Sequence, residues 1–219
     1  MQRHLSIRLL DDAAALRAAR NEPSLTRMRL LQRAVVGGGA VAAGGMLLGG
    51  LPQVAPAARS KAQDVRILNL VLLLEELESA FYAEAEAGGA LRGELADFAR
   101  IVGEHERAHV AFLRDALGGQ AEPKPTFDFG NKTGNRDRFV ATAAMLEDTA
   151  VAAYNGQAVN LTKPVLKAAA TIVSVEARHA AWIRDIVGQP AAPQATDKPA
   201  TEQQVRQKIA DTGFVKAGG

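Results

Sequence analysis

Glu106-Arg107-Ala108-His109-Val110-Ala111-Phe112-Leu113-Arg114-Asp115 returns, at an offset of 70, as Glu176-Ala177-Arg178-His179-Ala180-Ala181-Trp182-Ile183-Arg184-Asp185. A second pair of stretches repeats upstream of each copy. Leu74-Glu75, with Tyr82 seven residues beyond the Glu, matches Leu146-Glu147 with Tyr154, at an offset of 72; these are the only two tyrosines in the chain. Both stretches lie in segments whose apolar residues recur with a helical period, and such segments run over roughly 64–88, 92–117, 136–159 and 164–187. The repeat therefore predicts an all-α fold: two copies of a helix pair, with internal pseudo-two-fold symmetry. Strand signals are missing.

Local chemistry marks the helix ends. Ser60-Lys61-Ala62-Gln63 reads as a capping box, Gly88-Gly89 and Gly118-Gly119 as stops, and Thr162 with Pro164 as the start of the fourth helix. The turns within each pair are short. The stretch from Gly118 to Asn135, containing Pro123, Pro125 and Gly130, is too long for a tight hairpin. A connection of that length can run along the bundle and make helices 2 and 3 parallel.

With about 100° per residue, Glu75 shares its helix face with Leu68, Val71 and Tyr82, and Glu106 with Val102, Val110 and Leu113. Glu147 lies with Val140, Ala143, Val151 and Tyr154, and Glu176 with Ile172, Ala180 and Ile183. Four carboxylates thus point into the core, whereas Glu84, Glu86 and Glu94 read as solvated. An unpaired carboxylate in an apolar core costs several kcal/mol or is forced to take up a proton, so something cationic belongs between the four. His109 and His179 stand one turn after Glu106 and Glu176, where side chains at i and i+3 can grip one ion. Four carboxylates and two neutral imidazoles carry −4, which two divalent ions neutralise. Hard oxygen with some nitrogen and no sulfur suits iron or manganese.

From these residues the chain resembles the ferritin-like superfamily over about residues 64–188, a four-helix bundle with a long connection between helices 2 and 3. It is most similar to exported bacterial ferritin-like domain proteins of the desiccation-related type, through Leu74-Glu75-Glu76-Leu77-Glu78-Ser79-Ala80-Phe81-Tyr82 and the connector Pro123-Lys124-Pro125-Thr126-Phe127-Asp128-Phe129. The resemblance implies that Glu75, Glu106, His109, Glu147, Glu176 and His179 are metal ligands. Glu78, about 60° from Glu75, is the rival on the first helix; only Glu75 matches the repeat. Tyr82 and Tyr154 fit a supporting role, since helical side chains lean back toward the N-terminus and can return a hydroxyl to the site. The alternative is a pair of core aromatics.

His105-Glu106-Arg107-Ala108-His109 is also a literal zinc-protease pattern. The second copy has Val175 in place of His105, so the recurring unit is Glu-x-x-His, and no third His follows in the extended protease spacing. His105 is then a surface residue or a support for the ligands.

The chain's 219 residues hold 26 basic and 24 acidic side chains. Eight of the basic and three of the acidic ones lie in residues 1–60, leaving 18 against 21 for the remainder, which removes the electrostatic case for a nucleic-acid partner. Cysteine is absent, which excludes disulfides, thiolate metal sites and cysteine nucleophiles. Residues 1–57 read as an export region: Arg27, Arg29 and Arg33 precede an uncharged, glycine-dense stretch, and Ala55-Pro56-Ala57 offers a cleavage site. Thr26-Arg27-Met28-Arg29-Leu30-Leu31 resembles a twin-arginine signal, interrupted by Met28; a general secretory signal or an N-terminal membrane anchor are the alternatives. Residues 58–188 form the bundle, and 189–219 a Pro/Ala-rich tail. In that tail Thr201 and Gln204 cap a short helix ending before Gly213, and Val205, Ile209, Phe214 and Val215 of the tail face the bundle; a solvated tail is the alternative. Leu70, Leu73, Leu77 and Phe81 give the first helix a second apolar face, to be covered by another helix, the tail or a second copy of the chain.

The expected protein is an exported, carboxylate-bridged di-iron protein that reacts with dioxygen, peroxide or ferrous iron. A di-manganese catalase-like enzyme and a non-enzymatic metal-binding or stress-protection protein are the other readings.

Overall fold

Ser60 starts the first helix by accepting a hydrogen bond from the Gln63 amide, and Gly89 ends it in the left-handed conformation. In the computed structural model, which describes residues 59–216, this helix is α1 (Lys61–Gly88). It is followed by α2 (Glu94–Leu117), α3 (Arg136–Gln157), α4 (Lys163–Ile186) and α5 (Glu202–Thr212). The four long helices fall within a few residues of the periodic segments. The export region lies outside the described residues, as does the tail beyond Lys216. Among the described residues no helix is long and apolar enough to cross a membrane.

Two crossed hydrogen bonds set the direction of α3 against α1. Tyr154, late in α3, meets Glu75 in the middle of α1, and Tyr82, late in α1, meets Glu147 in the middle of α3. Residue numbers rise on one helix as they fall on the other, so α1 and α3 are antiparallel. Asp64, at the start of α1, agrees: it accepts from the Thr162 amide and hydroxyl just beyond the end of α3. Since α2 folds back on α1, α2 and α3 are parallel, as the long connection predicted.

The connector can be followed by its anchors on α1. The Asn69 side chain donates to the Gln120 carbonyl and accepts from the Glu122 amide, while Thr133 donates to Glu84. Between these points the chain climbs fifteen residues of α1, about 22 Å at ~1.5 Å per residue. On the way it pairs with the tail: β1 (Thr126–Phe127) and β2 (Val215–Lys216) are antiparallel, with Thr126 opposite Lys216 and Phe127 opposite Val215. This corrects the expectation of no strands. A two-residue pairing between segments some 90 residues apart leaves no periodic trace in the sequence.

The tail covers the second apolar face of α1. Val205, Ile209 and Phe214 join Leu70, Leu77, Phe81 and Phe129 in one buried cluster, and Arg66 of α1 pairs with Glu202 of α5 at 3.2 Å. To reach this place the tail crosses α3 at Gly156, where the Ala200 amide donates to the Ala152 carbonyl. A Cβ on Gly156 would lie 1.8 Å from the Ala200 carbonyl oxygen, so only glycine permits the crossing.

Two apolar clusters fill the bundle, one around Phe81, Phe98 and Phe139 and one around Ile67, Leu113 and Leu161. Along α2 the first ends at Val102 and the second begins at Leu113, with Glu106 between them. Along α4, Glu176 falls between Ile172 and Ile183 in the same way. A layer of acidic residues therefore separates two dry layers.

Candidate metal centre

Glu75, Glu106, Glu147 and Glu176 are completely buried, one from each long helix, and His179 is 3% exposed. His109 is half-buried. The helical arithmetic of the sequence thus carries into three dimensions, and Glu84, Glu86 and Glu94 are exposed as read.

Both imidazoles turn Nδ1 toward the carboxylates. His109 Nδ1 lies 3.2 Å from Glu75 Oε2, 3.2 Å from Glu106 Oε2 and 3.0 Å from Glu176 Oε1. His179 Nδ1 lies 3.0 Å from Glu106 Oε1, 3.3 Å from Glu147 Oε2 and 3.8 Å from Glu176 Oε2. The donor atoms sort into two groups, each within 4.8 Å across: Glu75, Glu106, His109 and Glu176, and Glu106, Glu147, Glu176 and His179. Glu106 and Glu176 belong to both. The two groups exchange under the pseudo-two-fold of the repeat, each Glu-x-x-His helix giving its carboxylate to its own half and to the other.

Although these atoms converge, several make no hydrogen bond: Glu106 Oε1, Glu147 Oε2, both oxygens of Glu176, and His179 Nδ1. Orphaned buried polar atoms are rare in folded proteins. Hard oxygens and imidazole nitrogens aimed at two common points fit a pair of divalent ions in number, type and charge.

Burial and neighbouring charges shift several of these groups in different directions. Burial pushes the Glu75 carboxyl well above its usual range, and Glu176 and Glu106 add to the shift. Burial likewise carries Glu147 up to about 8, against the pull of His179. Glu106 moves the other way, down to about 2, because contacts with His109 and His179 outweigh its burial. In His109 and His179 the adjoining carboxylates outweigh burial and raise both imidazoles to about 12.

The tyrosines are buried and bonded to the site. Tyr154 donates to Glu75 Oε1 at 2.6 Å and Tyr82 donates to Glu147 Oε1, so each orients a carboxylate on the opposite hairpin. Burial and the adjoining carboxylate hold both hydroxyls protonated. Gly103 gives Tyr82 its room, since a Cβ there would meet Tyr82 Cβ at 3.0 Å and Glu86 Oε1 at 2.6 Å.

Glu75, not Glu78, stands in the convergent groups. His105 is in neither: its Nδ1 lies 2.9 Å from His179 Nε2, which makes it a support for that imidazole and removes the geometry of a His-x-x-x-His zinc site. One feature, the burial of Glu76, was missed in the sequence, and Glu78 was read there only as the rival of Glu75. Glu76 is buried against Arg114, and Glu78 is completely buried with neither oxygen bonded. The signal for Glu78 was its angle, close enough to Glu75 to share the inward face. A cavity of about 380 Å³ between α2 and α4, lined by His105, His109, Arg178, His179 and Trp182, opens the imidazole side to small molecules.

A family model described as a ferritin-like domain matches residues 63–189. No curated protein matches the chain.

Proposed function

The chain belongs to the ferritin-like domain family, and from that premise we propose that its buried carboxylate layer holds two iron ions and serves redox chemistry with dioxygen, peroxide or ferrous iron. The observation that carries this reading is the pair of overlapping donor groups with unbonded oxygens and nitrogen at their centre. Glu75 and His109 would hold one ion, Glu147 and His179 the other, and Glu106 and Glu176, which belong to both donor groups, would serve both. When bound, an iron pair would supply the redox electrons, with the protein providing position and environment. Tyr82 and Tyr154 keep Glu147 and Glu75 from rotating, and the apolar layers above and below exclude water from all but the imidazole side. The cavity there, about 380 Å³, has room for a diatomic oxidant or a peroxide.

The same donors suit manganese, and the same fold can hold metal without turnover. Metal analysis of the protein from its native compartment, followed by ferrous-oxidation and peroxide-consumption assays on apo and reloaded protein, separates the three. Iron at about two per chain with activity that returns on reloading is expected. Manganese with peroxide turnover would move the assignment to a catalase-like enzyme, and metal without turnover to a sequestering or stress-protection protein. One tightly held zinc would sink the two-ion reading.

The leader supports export. Arginines before an uncharged glycine-rich stretch and a small-x-small site at Ala55-Pro56-Ala57 support a mature start at Ala58 or close to it. N-terminal sequencing of native protein tests this; an intact N-terminus on protein from the cytoplasm would overturn it.

A further inference from the structure

The two halves of the centre match at their six donor positions and part company at two others. One turn beyond Glu75, α1 carries Glu78, while the repeat puts Ala150 at the equivalent point of α3; both are completely buried. One residue before Glu106, α2 carries His105, where α4 carries Val175.

Both departures favour the same half. His105 engages the outer nitrogen of His179 at 2.9 Å, with the rings stacked at 5.1 Å, which leaves Nδ1 of His179 directed at Glu106, 3.0 Å away. Val175 has no polar atom with which to do the same for His109. Glu78 stands outside the two donor groups, on α1 between Glu75 and the Tyr82 that bonds Glu147, one turn toward the Glu147 side of the centre. Neither Glu78 oxygen has a hydrogen-bond partner. A carboxyl group buried without any donor is expensive to keep, and an apolar residue of similar size would fill the space better. Its repeat mate, Ala150, shows that the fold does not need an acid there.

We infer that the two ion positions are unequal: Glu78 supplies a further carboxylate oxygen to the ion held by Glu147 and His179, and that position fills first. His105 acts as a positioning residue for the same ion by fixing the tautomer and ring orientation of His179. The inference rests on the two-ion reading above and adds an order of filling to it.

Titration of the metal-free full-length protein with Co2+ alone, followed by calorimetry and visible absorption, tests it. The wild type should bind in two resolved steps. His179→Ala identifies the step of its own position, and His109→Ala the other. Glu78→Gln should weaken the His179 step by about 10–100-fold and leave the His109 step in place. His105→Val should weaken the same step, and Ala150→Glu should tighten the other, evening the two halves. A metal-free Glu78→Gln protein that melts at or above the wild type shows that the variant folds. Two steps of equal affinity in the wild type, or a Glu78→Gln effect on both steps or on neither, overturn the inference while the two-ion reading stands. Fewer than two Co2+ per chain in the wild type would overturn both.

Discussion

At the scale of single residues, the centre is a balance between protons and ions. Glu147 titrates near 8 in the folded apo protein against an ordinary value of 4.5. Its stabilising contribution is therefore complete below pH 4.5 and is lost as pH rises toward 8. His109 and His179, raised to about 12 from 6.5, contribute fully below pH 6.5 and lose that contribution through the alkaline range. All three shifts have the same sign, so thermal melts of the apo protein should fall as pH is raised from 5 to 9. Metal ligands must be deprotonated, so ion uptake at pH 7 should expel protons and affinity should climb with pH. Calorimetry in buffers of different ionisation enthalpy counts the protons, and a pH-independent affinity would contradict the assignment of these residues as ligands. Shared and unshared carboxylates should also behave differently. Glu106→Ala removes an atom from both donor groups and should abolish both ions, whereas Glu147→Ala touches one group and should spare the other ion. Tyr154→Phe, which leaves a buried Glu75 oxygen unsatisfied, should cost the apo protein about 1–3 kcal/mol in urea denaturation.

At the scale of elements, what was legible in the sequence is what a helix settles within a few residues of itself. The caps at Ser60, Gly89 and Thr201 rest on contacts three residues away or fewer, and the inward faces of Glu75, Glu106, Glu147 and Glu176 follow from helical pitch. The parallel course of α2 and α3 was legible from connector length alone. Illegible were contacts made by distant segments that happen to meet: Glu76 with Arg114, His105 with His179, β1 with β2, and the passage of the tail over Gly156. Glu78 shows the limit most clearly, because its angle on the helix was known while its lack of any donor depends on three neighbouring helices. The crossing at Gly156 yields a test at this scale. Gly156→Val should lift the tail from α3, expose Val205, Ile209 and Phe214, and lower stability by about 2–5 kcal/mol. Limited proteolysis should then cut within residues 189–200, a segment that the wild type should protect near Ala200 through its bond to Ala152.

At the scale of the whole molecule, the exchange of carboxylates between hairpins matters more than the count of ligands. The hairpin of α1 and α2 supplies Glu75, Glu106 and His109, yet its donor group is completed only by Glu176 from the other hairpin; the second group likewise borrows Glu106. Neither half can close an ion site alone. Each ion held there would be a rivet driven through both hairpins, added to the connector between Gly118 and Asn135 and to the hydrogen bonds and packing that already join them. A protease that severed this strap would leave two pieces on a denaturing gel but one particle in a sizing column, until a chelator drew the rivets and let mild heat part the halves.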